Sequence, residues 1–536
     1  MPYPYSSLGE WLAEEEELGY VRRFKKPIKC GDYSNIVEIG NGVPGMQPET
    51  EIRALVRYLH TLPGKPIGII EKPVNNRPDV PVIVNPWPNR ARVLRGMGIA
   101  DKDTFCHALA AIKERPIPPV VVDQASAPCK EVIIRGDDID IQKHVPLCWV
   151  EFNQVPWSTC NATVLLFDEE TGTHNLGKLR VGQYEWENAN PETPFPPDKV
   201  KREMFATLMY AGNMTSNSGR YYRDKYKKNR RSMPAALITN HPTDIHIVGA
   251  IREFRWPGDG DEYGFVGAFR GEPVAVVPAE TIPGLMVPAH AEWVIEGEFL
   301  PDDERMPEYA EDIASGYLFG GELCPIFRVN CITHMKKPTW DATTFSSSGS
   351  STVMGEDAVG SHEGPHTGLQ FMNCEPVAIN FLRSLGFLVK DVVMVGGGRE
   401  VAVIQLAVDG EDKPMPYYGK QVLMALHGNP GFSIGPPTKY LIVVGPDVNP
   451  YDLNDVMWAL GTRSWPVADS VTIENGVCGW GDPSGIPGYT GFKTYGEQIM
   501  IDGTIKVPER FDTFPPRAEP LEWEEDAVAR MRARFG

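Results

Sequence analysis

The middle of this chain differs in texture from both of its ends. From about residue 126, short apolar segments are separated by Gly, Pro and Asn, for example at 131–136, 160–168 and 235–240. Apolar runs of this length with such breaks are typical of β-strands. A long succession of them favours a β-barrel or a sandwich. The sequence therefore predicts a β-rich central domain.

Helical and strand-like patterns alternate on either side of this region. Near the N-terminus, the apolar positions of 48–62 recur at helical spacing, whereas 66–72 and 81–86 are short apolar runs. The final third returns to the same alternation, which is typical of α/β layers. We therefore expect three domains: an N-terminal α/β domain over 1–125, a central β-barrel-like domain over 126–335, and a C-terminal α/β domain over 336–536 that ends in a helix.

Four segments carry more specific predictions. The pattern of residues 1–24 favours an amphipathic helix, and that of about 185–231 favours a charged helical insertion in the central domain. The apolar segments 244–250 and 291–300 are predicted to be strands.

The charge of the chain restricts the partners that it can bind. It contains 52 Lys and Arg against 71 Asp and Glu, a net charge of −19, which argues against chain-wide electrostatic binding of nucleic acid or of an anionic membrane. No apolar run approaches the ~18–20 residues of a membrane span, and the acidic N-terminus is unlike a secretory signal. We therefore expect a cytoplasmic protein. Its nine cysteines contain no CxxC pair, so neither a disulfide framework nor a structural zinc site is indicated.

The segment 136–182 resembles the UbiD-type decarboxylase family. An acidic stretch, a strand, the turn D-E-E-T-G and the sequence N-L-G-K-L-R follow one another there in the order typical of that family. Further blocks are similar to other parts of it, and together they span most of the chain: 66–99, 261–278, 291–299, 332–338 and 439–463. By this resemblance, 261–278 and 291–299 are expected to be strands.

The resemblance implies a split β-barrel that binds prenylated flavin mononucleotide (FMN) between two α/β regions, the C-terminal one serving oligomerisation. It implies a divalent metal, usually Mn²⁺, and K⁺ beside the cofactor phosphate, and a flavin prenyltransferase as the supplier of the cofactor. Such carboxy-lyases release CO₂ from aromatic or α,β-unsaturated acids, sometimes reversibly, through an adduct of substrate and cofactor that is later protonated. A homo-oligomer, a dimer or a hexamer, is expected.

The family motifs assign roles to particular residues. By resemblance, Asn175 and Glu262 are metal ligands, and Arg180 and Glu308 are catalytic. Oxygen atoms of amides and carboxylates suit hard divalent cations, and a guanidinium matches a carboxylate or a polar flavin edge. The alternatives are a turn asparagine, a surface arginine and a solvated acid. The cofactor-binding residues implied are Asn175, Leu176, Gly177, Lys178, Leu179, Arg180, Glu262 and, in a looser match, His427.

Two positions depart from the family pattern. The second acid of the segment that begins at Glu308, often a mobile proton donor, falls on Ile313. The metal-binding His of the family falls near Asn217 and Ser218, so the metal site is expected to have a weaker third ligand, a different ion, or only K⁺.

A concentrated group of cations lies in the insertion and stands out against the net charge of −19. One interpretation is a solvated helix face or an oligomer contact. The other is a phosphate-binding site for an aryl-coenzyme A (CoA) thioester, such as a phthaloyl thioester, with the nearby tyrosines stacking on adenine. The group consists of Arg220, Arg223, Lys225, Lys227, Lys228, Arg230 and Arg231.

The leading prediction is a non-oxidative decarboxylase of an aromatic acid or its CoA thioester that binds neither nucleic acid nor membrane. Two other classes stay open. A non-catalytic subunit of a multisubunit aryl carboxylase would keep the fold without the proton donor, and a conventional flavin reductase would bind ordinary FMN.

Overall fold

The structure is a computed structural model. It describes residues 5–38, 46–148, 157–183, 201–206, 208, 216–251, 254–311, 318–342, 367–395, 401–428, 438–477, 484–487, 493–518 and 522–535.

The N-terminal region is built on a small mixed sheet. Strands β1 and β5 are parallel, β7 is antiparallel to β5, and Trp340–Asp341 adds a parallel strand beside β7. The elements are α1 (Leu8–Glu17), β1 (Val21–Phe24), β2 (Ile28–Lys29), β3 (Asp32–Glu38), β4 (Met46–Glu49), α2 (Ile52–His60), β5 (Ile67–Ile70), β6 (Pro73–Val74), β7 (Val82–Val84), α3 (Arg90–Gly96) and α4 (Lys102–Ala111).

The predicted single helix over 1–24 is wrong, because α1 ends at Glu17. Gly19 has a positive φ of 80°, a conformation that glycine adopts without strain. The amides of Gly19 and Tyr20 donate to the carbonyls of Glu16 and Glu15, which closes the helix. The chain then enters β1. The helical pattern of 48–62 is confirmed by α2, whose apolar positions are buried.

The central region is dominated by one long antiparallel sheet. Its strands run in the order β12-β11-β10-β13-β16-β17-β9, and β12 also pairs with β17, so the sheet curves back toward its first strand. The elements are β8 (Val120–Val121), β9 (Val132–Arg135), α5 (Ile141–His144), β10 (Trp157–Asp168), β11 (Thr173–Gln183), β12 (Glu203–Ala206), α6 (Asn217–Tyr221), β13 (Met233–Thr239), α7 (Thr243–Ala250), α8 (Glu262–Arg270), β14 (Ala275–Pro278), β15 (Met286–Pro288), β16 (Trp293–Glu311), β17 (Leu318–His334) and β18 (Trp340–Asp341).

Two segments of this region differ from the sequence prediction. The apolar run 244–250 lies in helix α7, and the first part of the predicted strand 261–278 is helix α8. Every residue from Thr243 to Val248 is buried, so no periodicity of exposure distinguishes a helix from a strand there. A buried ion pair between Asp244 and Arg270 joins the two helices.

The predicted helical insertion also contains a strand, β12, while part of it lies outside the described residues. Helix α6 continues into a wider turn at Tyr222–Tyr226 and a tighter one at Lys227–Asn229.

The C-terminal region is a second α/β layer with strand order β19-β20-β21-β24-β22, and β23 pairs with β24. Apolar clusters cover both faces of this sheet. The elements are α9 (Thr367–Ser384), β19 (Val389–Val395), β20 (Val401–Leu406), α10 (Tyr418–His427), β21 (Tyr440–Val444), α11 (Leu453–Arg463), β22 (Ser470–Val477), β23 (Ile486–Pro487), β24 (Lys493–Gly503) and α12 (Glu522–Phe535).

The β-rich centre and the α/β ends are therefore confirmed, but the first two regions share their cores. One apolar cluster joins Ile83 of β7 to Leu165 of β10, and another joins Val82 to Val164. The domain boundaries at 125 and 335 stay predictions. In the described part of the chain, no helix is long and apolar enough to cross a membrane.

Candidate active site

The predicted metal ligands Asn175 and Glu262 meet in the structure. Asn175 lies on β11 and Glu262 is the first residue of α8, and their side chains are almost fully buried. Asn175 Nδ2 donates to Glu262 Oε2 at 3.0 Å, and the main-chain amide of Leu176 donates to the same oxygen at 2.5 Å. Strand β11 and helix α8 are thus joined at these residues.

A second pair lies beside the first. His174 Nδ1 is 2.8 Å from Asp261 Oδ2, which also accepts from the His174 main-chain amide. The main-chain amide of Met286 donates to His174 Nε2, so Nδ1 must carry the proton and donate to Asp261. Asp261 in turn caps helix α8 by accepting from the amide of Tyr263. Sequence reasoning missed His174, since nothing in its neighbours indicates the contact.

The electrostatics of Glu262 favour a cation. Burial raises the pKa of Glu262 to about 8, and the nearby charges of Asp261 and Asp259 act in the same direction. The hydrogen bonds from Leu176 and Asn175 favour the charged form and oppose this rise only in part. These bonding partners are neutral. Within the described residues the Oδ1 atom of Asn175 is buried and has no hydrogen-bond partner. A buried amide oxygen beside a carboxylate without a counter-charge fits a hard divalent cation.

Asn217 and Ser218, which fall near the position of the family's metal-binding histidine, have other contacts in the structure. Asn217 is already engaged, because its Nδ2 donates to the Phe254 carbonyl at 2.8 Å and its Oδ1 accepts from Arg220 at 3.0 Å. Ser218 packs over Gly177, where a Cβ atom would lie 2.9 Å from the serine Oγ. Nowhere in the described ranges do three His, Cys, Asp or Glu side chains form a metal-binding group.

Arg180 is buried with 6% of its surface exposed, unlike the surface arginine of the alternative interpretation. Along β11, Leu176 and Leu179 belong to apolar clusters on the two faces of the sheet, so both are core residues. Only their main chains are available to a cofactor. Lys178 is half-buried and lies opposite Thr163 of β10.

The other positions singled out by the resemblance are only partly described. Glu308 lies on the long strand β16, but its side chain is outside the described part of the structure, as is the whole of Ile313. His427 is the last residue of α10, and burial lowers its pKa. No described hydrogen bond or ion pair connects His427 to the central sheet. The roles of these residues stay predictions.

The cation-rich segment is largely engaged with the protein itself. Lys225 Nζ lies 2.7 Å from Asp168 and 2.9 Å from Glu170, and Arg223 pairs with Asp224. Although burial opposes ionisation, hydrogen bonds from Lys225, Tyr221 and Thr171 lower the pKa of Asp168 to about 2.

The tyrosines of this segment are packed rather than presented to solvent. Tyr222 is fully buried and donates to the Leu300 carbonyl, and Tyr221 donates to Asp168 at 2.6 Å. Lys228, Arg230 and Arg231 are exposed. The contacts of the segment therefore favour a structural role for most of it, and a CoA site stays a prediction.

Comparison with known families gives two matches along the chain. Residues 120–348 match the Rift-related domain of 3-octaprenyl-4-hydroxybenzoate carboxy-lyase, called UbiD. Residues 375–503 match the C-terminal domain of the same carboxy-lyase. The two matches cover both the candidate site and the second α/β layer.

Two curated relatives are similar over different lengths. A phenolic acid decarboxylase of Sedimentibacter hydroxybenzoicus is 25% identical over 533 residues, which cover 97% of each chain. An uncharacterized protein of Aeropyrum pernix is 27% identical over 317 residues, 58% of each chain.

Solved structures share the fold. The vanillic acid decarboxylase of Sedimentibacter hydroxybenzoicus, in a closed form, has a TM-score of 0.71 at 22% identity and covers 99% of both chains. The UbiD-class enzyme HmfF of Pelotomaculum thermopropionicum, in complex with FMN, has a TM-score of 0.72 at 21% identity and covers 97% of this chain and 99% of its own.

Proposed function

The chain belongs to the UbiD family of carboxy-lyases, and we propose that it is a prenylated-FMN-dependent decarboxylase of an aromatic carboxylic acid. The observation that carries this proposal is the buried pair of Asn175 and Glu262. Among the described residues, the hydrogen-bond partners of the carboxylate are neutral and the amide oxygen has no partner. The names of similar proteins support it, since one curated relative is a phenolic acid decarboxylase and one solved neighbour is in complex with prenylated FMN.

Each part of the site has a task in this proposal. Asn175 and Glu262 would hold a divalent metal, Mn²⁺ in the family, at the cofactor phosphate, with K⁺ beside it. Arg180, which is buried, would orient the carboxylate of the substrate or a polar edge of the flavin through its guanidinium. When bound, prenylated FMN supplies the electron acceptor for the bond that breaks as CO₂ leaves.

Proton delivery is assigned to Glu308. If it pairs with Arg180 as the family resemblance implies, the guanidinium holds the carboxylate in place and substrate charge controls its proton affinity. The carboxyl of Glu308 then donates the proton that replaces CO₂ on the substrate. An apolar Ile313 in place of the second acid leaves Glu308 as the proposed donor.

An assembled oligomer is part of the proposal. Large apolar side chains are exposed over the C-terminal layer, which is typical of a surface that contacts another subunit. Val467 is 90% exposed and Met457 61%. Size measurement by light scattering tests this point, and a monomer at micromolar concentration would contradict it.

The decisive experiment is mass spectrometry of the cofactor bound to the chain after co-expression with a flavin prenyltransferase. We expect prenylated FMN, and release of CO₂ from at least one hydroxylated or unsubstituted benzoate. Ordinary FMN with NAD(P)H oxidation would instead indicate a flavin reductase. Prenylated FMN without turnover of any aryl acid or aryl-CoA thioester by the chain alone would favour a non-catalytic subunit.

The choice between a free acid and a CoA thioester rests on the three exposed cations. If a thioester is the substrate, replacing Lys228, Arg230 and Arg231 by Gln should strongly weaken the binding of that CoA substrate and leave the flavin content unchanged. Equal turnover of a free aryl acid by the wild type and this variant, with no turnover of thioesters, would exclude the CoA thioester.

A further inference from the structure

Strand β10 is irregular beside Arg180. Ala162 pairs with Leu179 and Thr159 pairs with Val181, so two residues of β10, Cys160 and Asn161, oppose the single residue Arg180 on β11. This arrangement is a β-bulge, a feature that redirects a side chain and is common next to active sites. Asn161 is fully buried at this point.

The orientation of the Asn161 amide is set by a carboxylate. Its Nδ2 donates to Asp341 Oδ2 at 2.8 Å, and because a carboxylate can only accept, the amide nitrogen must face Asp341. The Oδ1 atom therefore points away from Asp341. It is buried, and among the described residues it has no hydrogen-bond partner. Leaving such an acceptor unpaired costs free energy, so a donor is expected in the complete site.

Two histidine rings lie beside this amide. His246 Nε2 lies 3.5 Å from Asn161 Nδ2, and the rings of His246 and His241 stack at 3.8 Å. His241 Nδ1 faces the Pro242 carbonyl, so its Nε2 accepts from the Thr163 hydroxyl at 2.8 Å. Burial lowers the pKa of His241 to about 3, which keeps the ring neutral at pH 7. None of these contacts supplies a donor to Asn161 Oδ1.

We propose that Asn161 Oδ1 accepts a hydrogen bond from the ring N–H of the flavin bound beside Arg180, and that Asp341 positions this amide. The inference rests on the proposed function. The imide edge of a flavin presents a carbonyl, an N–H and a second carbonyl in sequence. A guanidinium donates to a carbonyl and an amide oxygen accepts from the N–H, so Arg180 and Asn161 together match that edge.

Binding of FMN to the full-length apoprotein tests the proposal without requiring turnover. Asn161→Leu keeps the size of the side chain and removes the acceptor, and we expect the Kd for FMN, measured by fluorescence quenching, to rise about 10-fold, with a shifted visible spectrum of the bound flavin. Should this variant fail to fold, Asn161→Ser has the same expected effect on FMN binding.

The matched control is Asn85→Leu in the N-terminal sheet. Asn85 is as fully buried as Asn161, but its oxygen is bonded to His60 and its nitrogen to the carbonyl of Pro66. This control should lose stability and keep the FMN affinity and spectrum of the wild type.

The outcomes separate this inference from the function on which it rests. If the wild type binds FMN and Asn161→Leu binds it with the same Kd and spectrum, only the inference is overturned. An unchanged FMN affinity with a raised KM for a hydroxylated aryl acid would also overturn it, because the donor would then be the substrate hydroxyl. A wild type that binds no flavin at all would overturn both.

Discussion

Two buried glutamates, one in the candidate site and one between the N- and C-terminal regions, have opposite surroundings. Glu375 of α9 is fully buried and contacts Arg90 of α3 at 2.5 Å and Lys102 of α4 at 2.6 Å. Burial alone would raise its pKa, but these two cations lower it. Glu262 is almost as buried, yet its described hydrogen bonds come from neutral groups and its pKa is raised.

The difference shows what burial of a carboxylate can mean. Glu375 is a completed structural contact that joins three helices, and nothing needs to bind there. Among the described residues, Glu262 has hydrogen bonds but no counter-charge, and such an arrangement is stable only if the carboxyl is protonated or a cation is bound. Burial by itself therefore does not identify a functional carboxylate. A buried carboxylate that has no neighbouring cation is the better indication of a functional site.

The largest expected effect is on stability, and it follows from removing the charge of Glu375. Glu375→Gln leaves Arg90 and Lys102 without their shared counter-charge, and we expect the free energy of unfolding in urea to fall by about 3–5 kcal/mol. FMN binding per folded molecule should stay unchanged. An unfolding free energy within about 1 kcal/mol of the wild type would show that the pair is not a structural contact.

The dependence of stability on pH should have opposite signs for the two kinds of glutamate. Glu292 serves as the second example of the cation-free kind, because it accepts from the amide and hydroxyl of Thr339 and burial raises its pKa to about 7. Between pH 4.5, where the unfolded carboxyl ionises, and pH 7 the folded state binds more protons, so this group reduces stability as pH rises. The expected decrease in the free energy of unfolding from Glu292 over this range is on the order of 3 kcal/mol.

Comparison of unfolding free energies across this pH range checks the sign. Glu292→Gln should remove the loss of stability toward pH 7. The contribution of Glu375, whose pKa is lowered, is present above pH 4.5 and is lost as pH falls through its folded pKa. The difference in unfolding free energy between the wild type and Glu375→Gln should therefore become smaller below pH 4.5. If the unfolding free energies of Glu292→Gln and Glu375→Gln changed with pH in the same way, the comparison would be contradicted.

Removing the cation-free carboxylate of the candidate site should affect ligand binding more than stability. Glu262→Gln keeps an acceptor for Asn175 and Leu176 but loses the negative charge. We expect the affinity for Mn²⁺, measured by electron paramagnetic resonance, to fall at least about 10–100-fold. Glu272→Gln, an exposed acid just after the same helix, is the matched control and should bind Mn²⁺ like the wild type. Equal Mn²⁺ affinity in both variants would exclude Glu262 as a ligand.

The smallest effects are expected at the surface cations. Lys225→Met removes the cation that pairs with the mostly buried Asp168, and it should cost about 1 kcal/mol of unfolding free energy. Arg223→Met breaks only an exposed pair with Asp224 and should cost less than about 0.5 kcal/mol. Equal costs in urea unfolding would mean that burial of the acid does not strengthen its contact with the cation.

Much of the site was predictable from local sequence, because its motif is short. Asn175 and Arg180 lie five positions apart in one strand, and Glu262 follows a charged turn, so family resemblance names all three. The contact between Asn175 and Glu262 was not predictable from spacing alone, since the two residues are 87 positions apart in the chain. His174 and Asn161 gave no signal, because their partners Asp261 and Asp341 are distant in the chain.

The sequence by itself determined the α/β, β and α/β succession of the chain, the family, and helices with one apolar face such as α2, because these depend on local periodicity and on short motifs. Only the tertiary structure decided that 244–250 is a helix, since the residues from Thr243 to Val248 are all buried and show no periodic pattern of exposure. It alone decided which buried carboxylate is neutralised by cations, because a counter-charge is supplied by chain segments that meet only when the protein folds.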